Sequence, residues 1–203
     1  AESAMDNATG VAVALAVTRA LAPHRHRFAR GLRLALFSAE EWALTGSREY
    51  LAGLPANERA LMALNINLDS VAGDGTLTAL CSGFPALAAF VRASAAGVGL
   101  PVAVYLPRMD NSDHANFAAH GIPALRLVAG FDAPQSNLRH VLTAADTRDK
   151  VATGDLRTAA LVSAALAWDA LTADGAVLGG LRDVRAITDV DAAAAPQPRD
   201  IPV

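Results

Sequence analysis

Phe37-Ser38-Ala39-Glu40-Glu41-Trp42-Ala43-Leu44-Thr45-Gly46-Ser47 joins an apolar run, Leu32 to Phe37, to a Gly-Ser pair that opens a helix. Two adjacent carboxylates thus stand at the end of what reads as a strand, Leu32 to Ser38. Strand ends are where α/β proteins place their chemistry. Neighbouring side chains on a strand point to opposite faces, so Glu40 and Glu41 reach a common site only if the backbone turns between or just after them. One carboxylate can then hold a cation while the other handles a proton. Taken alone, the pair also fits solvated side chains at a loop entrance.

Outward from this stretch, strands and helices alternate. Before it, Val11 to Leu21 reads as a buried helix starting near Ala8, with Asp6 or Asn7 placed to cap it. After it come a short helix, Ser47 to Leu54, stopped by Pro55, and a strand, Leu61 to Leu68, that ends at a second acid, Asp69. Thr76 to Cys81 is a strand, Pro85 to Ala96 a helix and Val102 to Leu106 a further strand. The polar cluster Arg108 to His114 leads into a short helix, Ala115 to His120, for which Ser112 or Asp113 is a candidate cap. Gly121-Ile122-Pro123 turns the chain into the strand Ala124 to Val128, and a long Ala-rich helix runs from Asp155 to Leu171. The pattern predicts an α/β fold, a three-layer α/β/α sandwich around a mostly parallel mixed sheet. Residues 1–180 read as one domain, and 181–203, where the pattern fades after Gly179-Gly180, as a C-terminal extension.

Composition narrows the function classes. At 203 residues and 53% hydrophobic, the chain suits one well-filled domain. The net charge of -3 comes from interspersed charges with no basic stripe, which argues against nucleic acid. No apolar stretch is long enough to cross a bilayer. The single cysteine, Cys81, excludes both a disulfide within this chain and a cysteine zinc cluster, and sits in an apolar run as a small buried residue. Any metal must therefore be held by Asp, Glu and His. His24 and His26 stand beside Arg25 and Arg27, which would repel a cation, so they read as a solvated loop. The segment Ala1 to Asp6 has neither an initiator Met nor the regions of a signal peptide, and compartment is not legible from it.

Asp6, Glu40, Glu41, Asp69, Asp113, His114 and His140 stand nearly all where a strand or loop meets a helix. Carboxylates gathered at one sheet edge repel one another unless a cation sits among them. Oxygen and imidazole donors suit zinc or a similar divalent ion, which lowers the pKa of a bound water to about 7. A spare carboxylate would take the proton, so the residue types point to metal-assisted hydrolysis.

At these same residues the chain resembles the zinc aminopeptidases of peptidase family M28. Met5-Asp6-Asn7-Ala8-Thr9-Gly10 is similar to that family's D-D-N-x-S-G, and Phe37 to Tyr50 to its F-x-A-E-E-x-G-L-x-G-S-x-x-Y. Asn67-Leu68-Asp69 resembles its N-x-D strand end. Ser112-Asp113-His114-Ala115-Asn116-Phe117 with Gly121-Ile122-Pro123-Ala124 resembles S-D-H-x-x-F followed by G-I-P-A, and Thr143 to Lys150 resembles T-P-x-D-T-x-D-K. The segments occur in the family's order between residues 5 and 150.

The resemblance implies a zinc exopeptidase that removes N-terminal residues from peptides. Asp6 would bridge two zinc ions, Glu41 would bind one and Asp69 the other, and Glu40 would be the general base. Asp113 would support the site from behind the ligands. The resemblance also implies a periplasmic or secreted location. Two departures follow from it. The family's first ligand, a histidine in an H-x-D stretch, lies upstream of the Asp6 segment, so the N-terminal strands that carry it are expected outside this sequence. Its last histidine aligns with Leu142, and His140, two residues earlier, is the candidate to replace it because i and i+2 share a face in an extended segment. Two other readings share these residues: a glutaminyl-cyclase-like acyltransferase, and a metal-poor relative that keeps the fold for binding.

Overall fold

A computed structural model describes residues 2–183. Four strands, β1 (Asn65–Leu68), β2 (Leu77–Leu80), β3 (Ala103–Tyr105) and β4 (Ala124–Ala129), form one mixed sheet in the order β1-β4-β2-β3. β1 pairs with β4 and β2 with β3 in parallel, whereas β2 and β4 run antiparallel. The helices are α1 (Gly10–Leu21), α2 (Thr45–Gly53), α3 (Ala56–Leu61), α4 (Pro85–Gly97), α5 (His114–Ala119), α6 (Thr153–Thr172) and α7 (Gly175–Gly180).

β4 is buried along its whole length, and its alternate residues serve two cores, as the period of a strand requires. Leu125, Leu127 and Ala129 join Leu77 and Ala79 under α1, α4 and α6. On the opposite face Val128 meets Leu80, Tyr105 and Phe131, while Ala124 meets Leu51 of α2 and Phe117 of α5. Helices therefore cover both faces, as the α/β/α reading expects. α1 buries Gly10, Val13, Val17 and Leu21, a stripe at helical spacing, and α6 buries Ala159, Val162, Ser163, Leu166, Ala167, Ala170 and Leu171 against it. Cys81 is free and fully buried, as its apolar run predicts.

Two strand expectations need correction. Leu32 to Ser38 belongs to no strand of the described sheet; Leu32, Leu34 and Leu36 are 45%, 38% and 56% exposed. A strand exists only with a hydrogen-bonded neighbour. Here β1 is the last strand on that side, and a groove of about 680 Å³ separates its outer edge from this segment. The strand expected over Leu61 to Leu68 keeps only its second half, because the helix that starts after Pro55 runs on to Leu61. Pairing with β4 begins where Asn65 N–H donates to the Pro123 carbonyl. At the other end of the chain, Leu181 packs in the larger core and the Arg182 guanidinium donates to the carbonyls of Gly121, Ala60 and Met62. The remainder of the extension expected over 181–203 lies outside the described residues. No described helix is long and apolar enough to cross a membrane.

Candidate metal centre

Asp6 sits in a tight turn, Ala4–Thr9, in which Asp6 and Asn7 have non-helical backbone angles and the peptide between them is cis. The turn is held from both sides. Asp146, 2% exposed, accepts the backbone N–H of Met5 at 2.7 Å and of Asp6 at 3.0 Å. Asn7 accepts the Gly10 N–H at 3.0 Å, taking the bond at the start of α1 that Asp6 or Asn7 was placed to make, and also donates to the Leu68 carbonyl at 2.9 Å. Gly10 is needed for this approach: a Cβ there would lie 2.0 Å from the Leu68 carbonyl oxygen. The end of β1 is thereby locked beside the Asp6 turn, which brings Asp69 to Asp6.

The Glu pair lies in the turn its sequence demands. Ala39 adopts a left-handed φ of 56°, and Ala43 and Leu44 do the same at 56° and 55°. Leu44 N–H closes on the Glu40 carbonyl at 2.8 Å and Thr45 N–H on that of Ala39 at 3.1 Å. A Cβ at Gly46 would lie 2.1 Å from the Ser38 carbonyl oxygen, so the motif glycine lets the loop fold back on itself. Asn116 of α5 pins this loop, donating to the Leu44 carbonyl at 3.0 Å and to Ser47 Oγ at 2.7 Å.

Asp69 is nearly enclosed. Its Oδ2 accepts the Ser112 hydroxyl at 2.6 Å and lies 3.2 Å from Arg126 Nη2, and its Oδ1 accepts the Ser70 hydroxyl at 3.3 Å. Neither Ser112 nor Asp113 makes a side-chain cap on α5; Ser112 serves Asp69 instead. Asp113 is buried beside the Ser47 hydroxyl. His114 is fully buried, and burial pushes its pKa down to about 3, so it packs as a neutral ring.

Asp6, Glu40, Glu41, Asp69 and Asp113 line the same groove, next to Asn7, Tyr50 and Phe117. Their crowding shows in their proton affinities. Burial, then the charges of Asp69 and Glu41, raise both Asp6 and Glu40 to about 7, with Asp113 adding to the effect on Glu40 and Arg126 opposing both. Burial raises Asp113 too. Hard oxygen donors in this negative surplus fit a divalent cation in charge and donor chemistry. Among the described residues, no three acidic or histidine side chains close into a ligand group on their own. His140 is half-buried at the end of a 3-10 turn, Asn137–His140, and is not among the residues lining the groove; Leu142 is 47% exposed with φ 62°.

Sequence reading gave no role to Asp146 or Arg126. Asp146 stood inside a quoted motif. Arg126 carried a visible signal, a lone charge in the apolar run Ala124 to Ala129, which requires a buried partner.

The model of peptidase family M28 matches residues 1–167. The chain belongs to this family. The M28 chain is 34% identical over 132 residues to leupeptin-inactivating enzyme 1 of Streptomyces exfoliatus, covering 63% of its own length and 29% of that protein. Its fold is similar to that of an aminopeptidase from Aneurinibacillus sp. strain AM-1, with TM-score 0.70 and 24% identity over 92% of the M28 chain and 42% of the other. It is also similar to BSAP, a zinc aminopeptidase from Bacillus subtilis, with TM-score 0.74 and 23% identity over 85% of this chain and 43% of that one. The M28 chain thus spans less than half the length of each of these relatives.

Proposed function

We propose that this chain carries the acidic half of a zinc aminopeptidase centre that hydrolyses the first peptide bond of a peptide substrate. The observation that supports this most is the convergence of Asp6, Glu40, Glu41 and Asp69 on one groove, with Asp6 and Glu40 raised to about 7 by burial and by the charges of Asp69 and Glu41. Asp6 would bridge two zinc ions, Glu41 would hold one and Asp69 the other. The zinc, when bound, supplies Lewis-acid activation and brings water to a pKa of about 7.

The remaining steps belong to the chain's own residues. Glu40, a half-buried carboxylate in the groove, takes a proton from the attacking water and returns it to the departing amine. Asp113 lines the same groove and is held beside Ser47. The negative surplus of the groove receives the substrate's free N-terminal ammonium, which places the first peptide carbonyl over Glu40. His140 is the candidate imidazole donor, and its loop must carry it into the groove. By family likeness the protein acts outside the cytoplasm, in the periplasm or after secretion.

Hydrolysis of aminoacyl-nitroanilides by the full-length protein, lost on chelation and restored by zinc, is the expected result. Activity that ignores the chelator, or none with zinc present, counts against the proposal. Ammonia release from an N-terminal Gln peptide without hydrolysis would point to the acyltransferase instead. A second reading, the metal-poor binding relative, is favoured by two observations: Leu142 is exposed where the last histidine is expected, and His140 stands outside the groove. Zinc content of the purified protein separates the two.

A further inference from the structure

Asn116 stands at a position that S-D-H-x-x-F leaves open, so the family likeness assigns it no role. Its side chain nevertheless reaches the loop that carries Glu40 and Glu41, 72 and 69 residues away in sequence. Nδ2 donates to the Leu44 carbonyl at 3.0 Å and to Ser47 Oγ at 2.7 Å. A carbonyl only accepts, so the bond to Leu44 fixes which way the amide points, and both of its N–H donors are spent on this one loop. The support behind it is firm. α5 buries His114, Ala115 and Phe117, and Phe117 packs with Leu51, Ile122 and Ala124.

The loop needs such a hold. Ala39, Ala43 and Leu44 are left-handed, at 56°, 56° and 55°, a conformation that residues with a Cβ keep only where their surroundings impose it. Leu44 is the link to the acids: its N–H closes on the Glu40 carbonyl at 2.8 Å, and its own carbonyl is the one that Asn116 holds. Among the described residues, no other side chain from outside residues 38–48 donates to this loop's backbone. Ser47, fully buried, accepts from the same amide and stands beside Asp113.

We propose that Asn116 is a positioning residue for the general base: it fixes the turn at Ala43 and Leu44 from α5, and through Leu44 it keeps Glu40 at its place in the groove. This inference rests on the metallopeptidase reading. Released from the amide, the left-handed turn relaxes and Glu40 moves with it. A displacement of about 1 Å at the reacting groups costs on the order of 10²-fold in rate, so turnover falls while substrate binding, which the rest of the groove provides, does not.

The test compares Asn116→Ala, which removes the amide, and Asn116→Leu, which removes its donors at similar size, with the wild-type full-length protein, folding being followed by circular dichroism. Backbone hydrogen exchange over residues 39–47, read by mass spectrometry, is expected to be at least about tenfold faster in both variants. Hydrolysis of leucine p-nitroanilide at saturating zinc is expected to lose about 10- to 100-fold in kcat, with KM within about threefold of wild type. The deciding comparison places the same substitution in Glu40→Gln protein. A residue that acts through Glu40 changes the residual rate there by less than about threefold, whereas one that only stabilises the fold lowers it by the same factor in both backgrounds. If one variant does not fold, the other carries every arm. Wild-type exchange, wild-type kcat, a loss carried by KM, or equal losses in the two backgrounds would overturn the inference. No zinc-dependent hydrolysis by wild type overturns the metallopeptidase reading as well, whereas wild-type kcat in Asn116→Leu overturns this inference alone.

Discussion

Replacing Asp146 tests whether the turn that carries Asp6 is held from the far end of the chain. The carboxylate is 2% exposed and accepts the N–H groups of Met5 and Asp6 at 2.7 and 3.0 Å. Hydrogen bonds to a charged group contribute about 1.5–3 kcal/mol each, so Asp146→Ala should remove about 3–6 kcal/mol. That is a large part of a total stability on the order of 5–15 kcal/mol. Asp146→Asn keeps one carbonyl acceptor but turns an NH2 toward the second N–H, and should lose about half as much. Removing the charge also acts the other way, by relieving repulsion on Asp6. Asp146 is the smallest of the named contributions to the raised affinity of Asp6, behind burial, Asp69 and Glu41, so lost anchoring dominates. Urea unfolding reads the stability, and zinc titration of folded protein reads the site. Both variants should bind zinc at least tenfold more weakly, because Asp6 no longer has a fixed place. An Asp146→Asn protein with wild-type urea midpoint and wild-type zinc affinity would refute the reasoning.

Gly10→Ala would place a Cβ 2.0 Å from the Leu68 carbonyl oxygen and 2.4 Å from Asn7 Oδ1. The start of α1 must then move off β1, at a cost of about 1–3 kcal/mol or more that outweighs the helix preference of alanine, about 1 kcal/mol; an equal or higher urea midpoint would contradict it. Glu40→Gln should lower hydrolysis by about 10²–10⁴-fold while zinc uptake stays at the wild-type level, and parallel loss of both would move Glu40 from base to ligand. His114, pushed by burial down to about 3, stays neutral in the folded protein while the unfolded chain takes up a proton below its ordinary 6.5. Stability is therefore lost as pH falls from 6.5 toward 3, by up to about 1.4 kcal/mol per pH unit. Asp113, raised by burial, works in the opposite direction, so the difference between wild type and His114→Gln is the quantity to plot; a flat difference argues against a neutral buried ring. His140→Ala should weaken zinc binding about tenfold if its loop delivers the ring, a cost of about 1.4 kcal/mol, and an unchanged affinity removes it from the ligand set.

Elements whose signal is local were legible in the sequence. The apolar stripes of α1 and α6 and the continuous apolar runs of β2 and β4 each carry their own period, and they fold where that period places them. Leu32 to Ser38 has an equally apolar pattern but forms no described strand, because pairing belongs to two segments and periodicity reports on one. The acids were legible for a related reason: each stands at the edge of an element. What moves Glu40 and Glu41 into one groove is a left-handed alanine, Ala39, and nothing in the preference of alanine announces it.

The same limit explains the histidine. Placing His140 on the face of Leu142 assumes an extended backbone, in which i and i+2 point alike. The chain instead closes a 3-10 turn at His140, where the carbonyl accepts the Thr143 N–H at 3.1 Å and its hydroxyl at 2.7 Å, and then enters a left-handed conformation at Leu142. That path is not extended, so the face shared by i and i+2 in a strand does not apply to it. Asp146, four residues beyond Leu142, nevertheless reaches Asp6. The loop is thus tied to the Asp6 turn by Asp146, while His140 is not among the residues lining the groove. Whether zinc binding draws His140 inward depends on breaking the two bonds at its carbonyl, which a Thr143→Val substitution would halve without touching any proposed ligand.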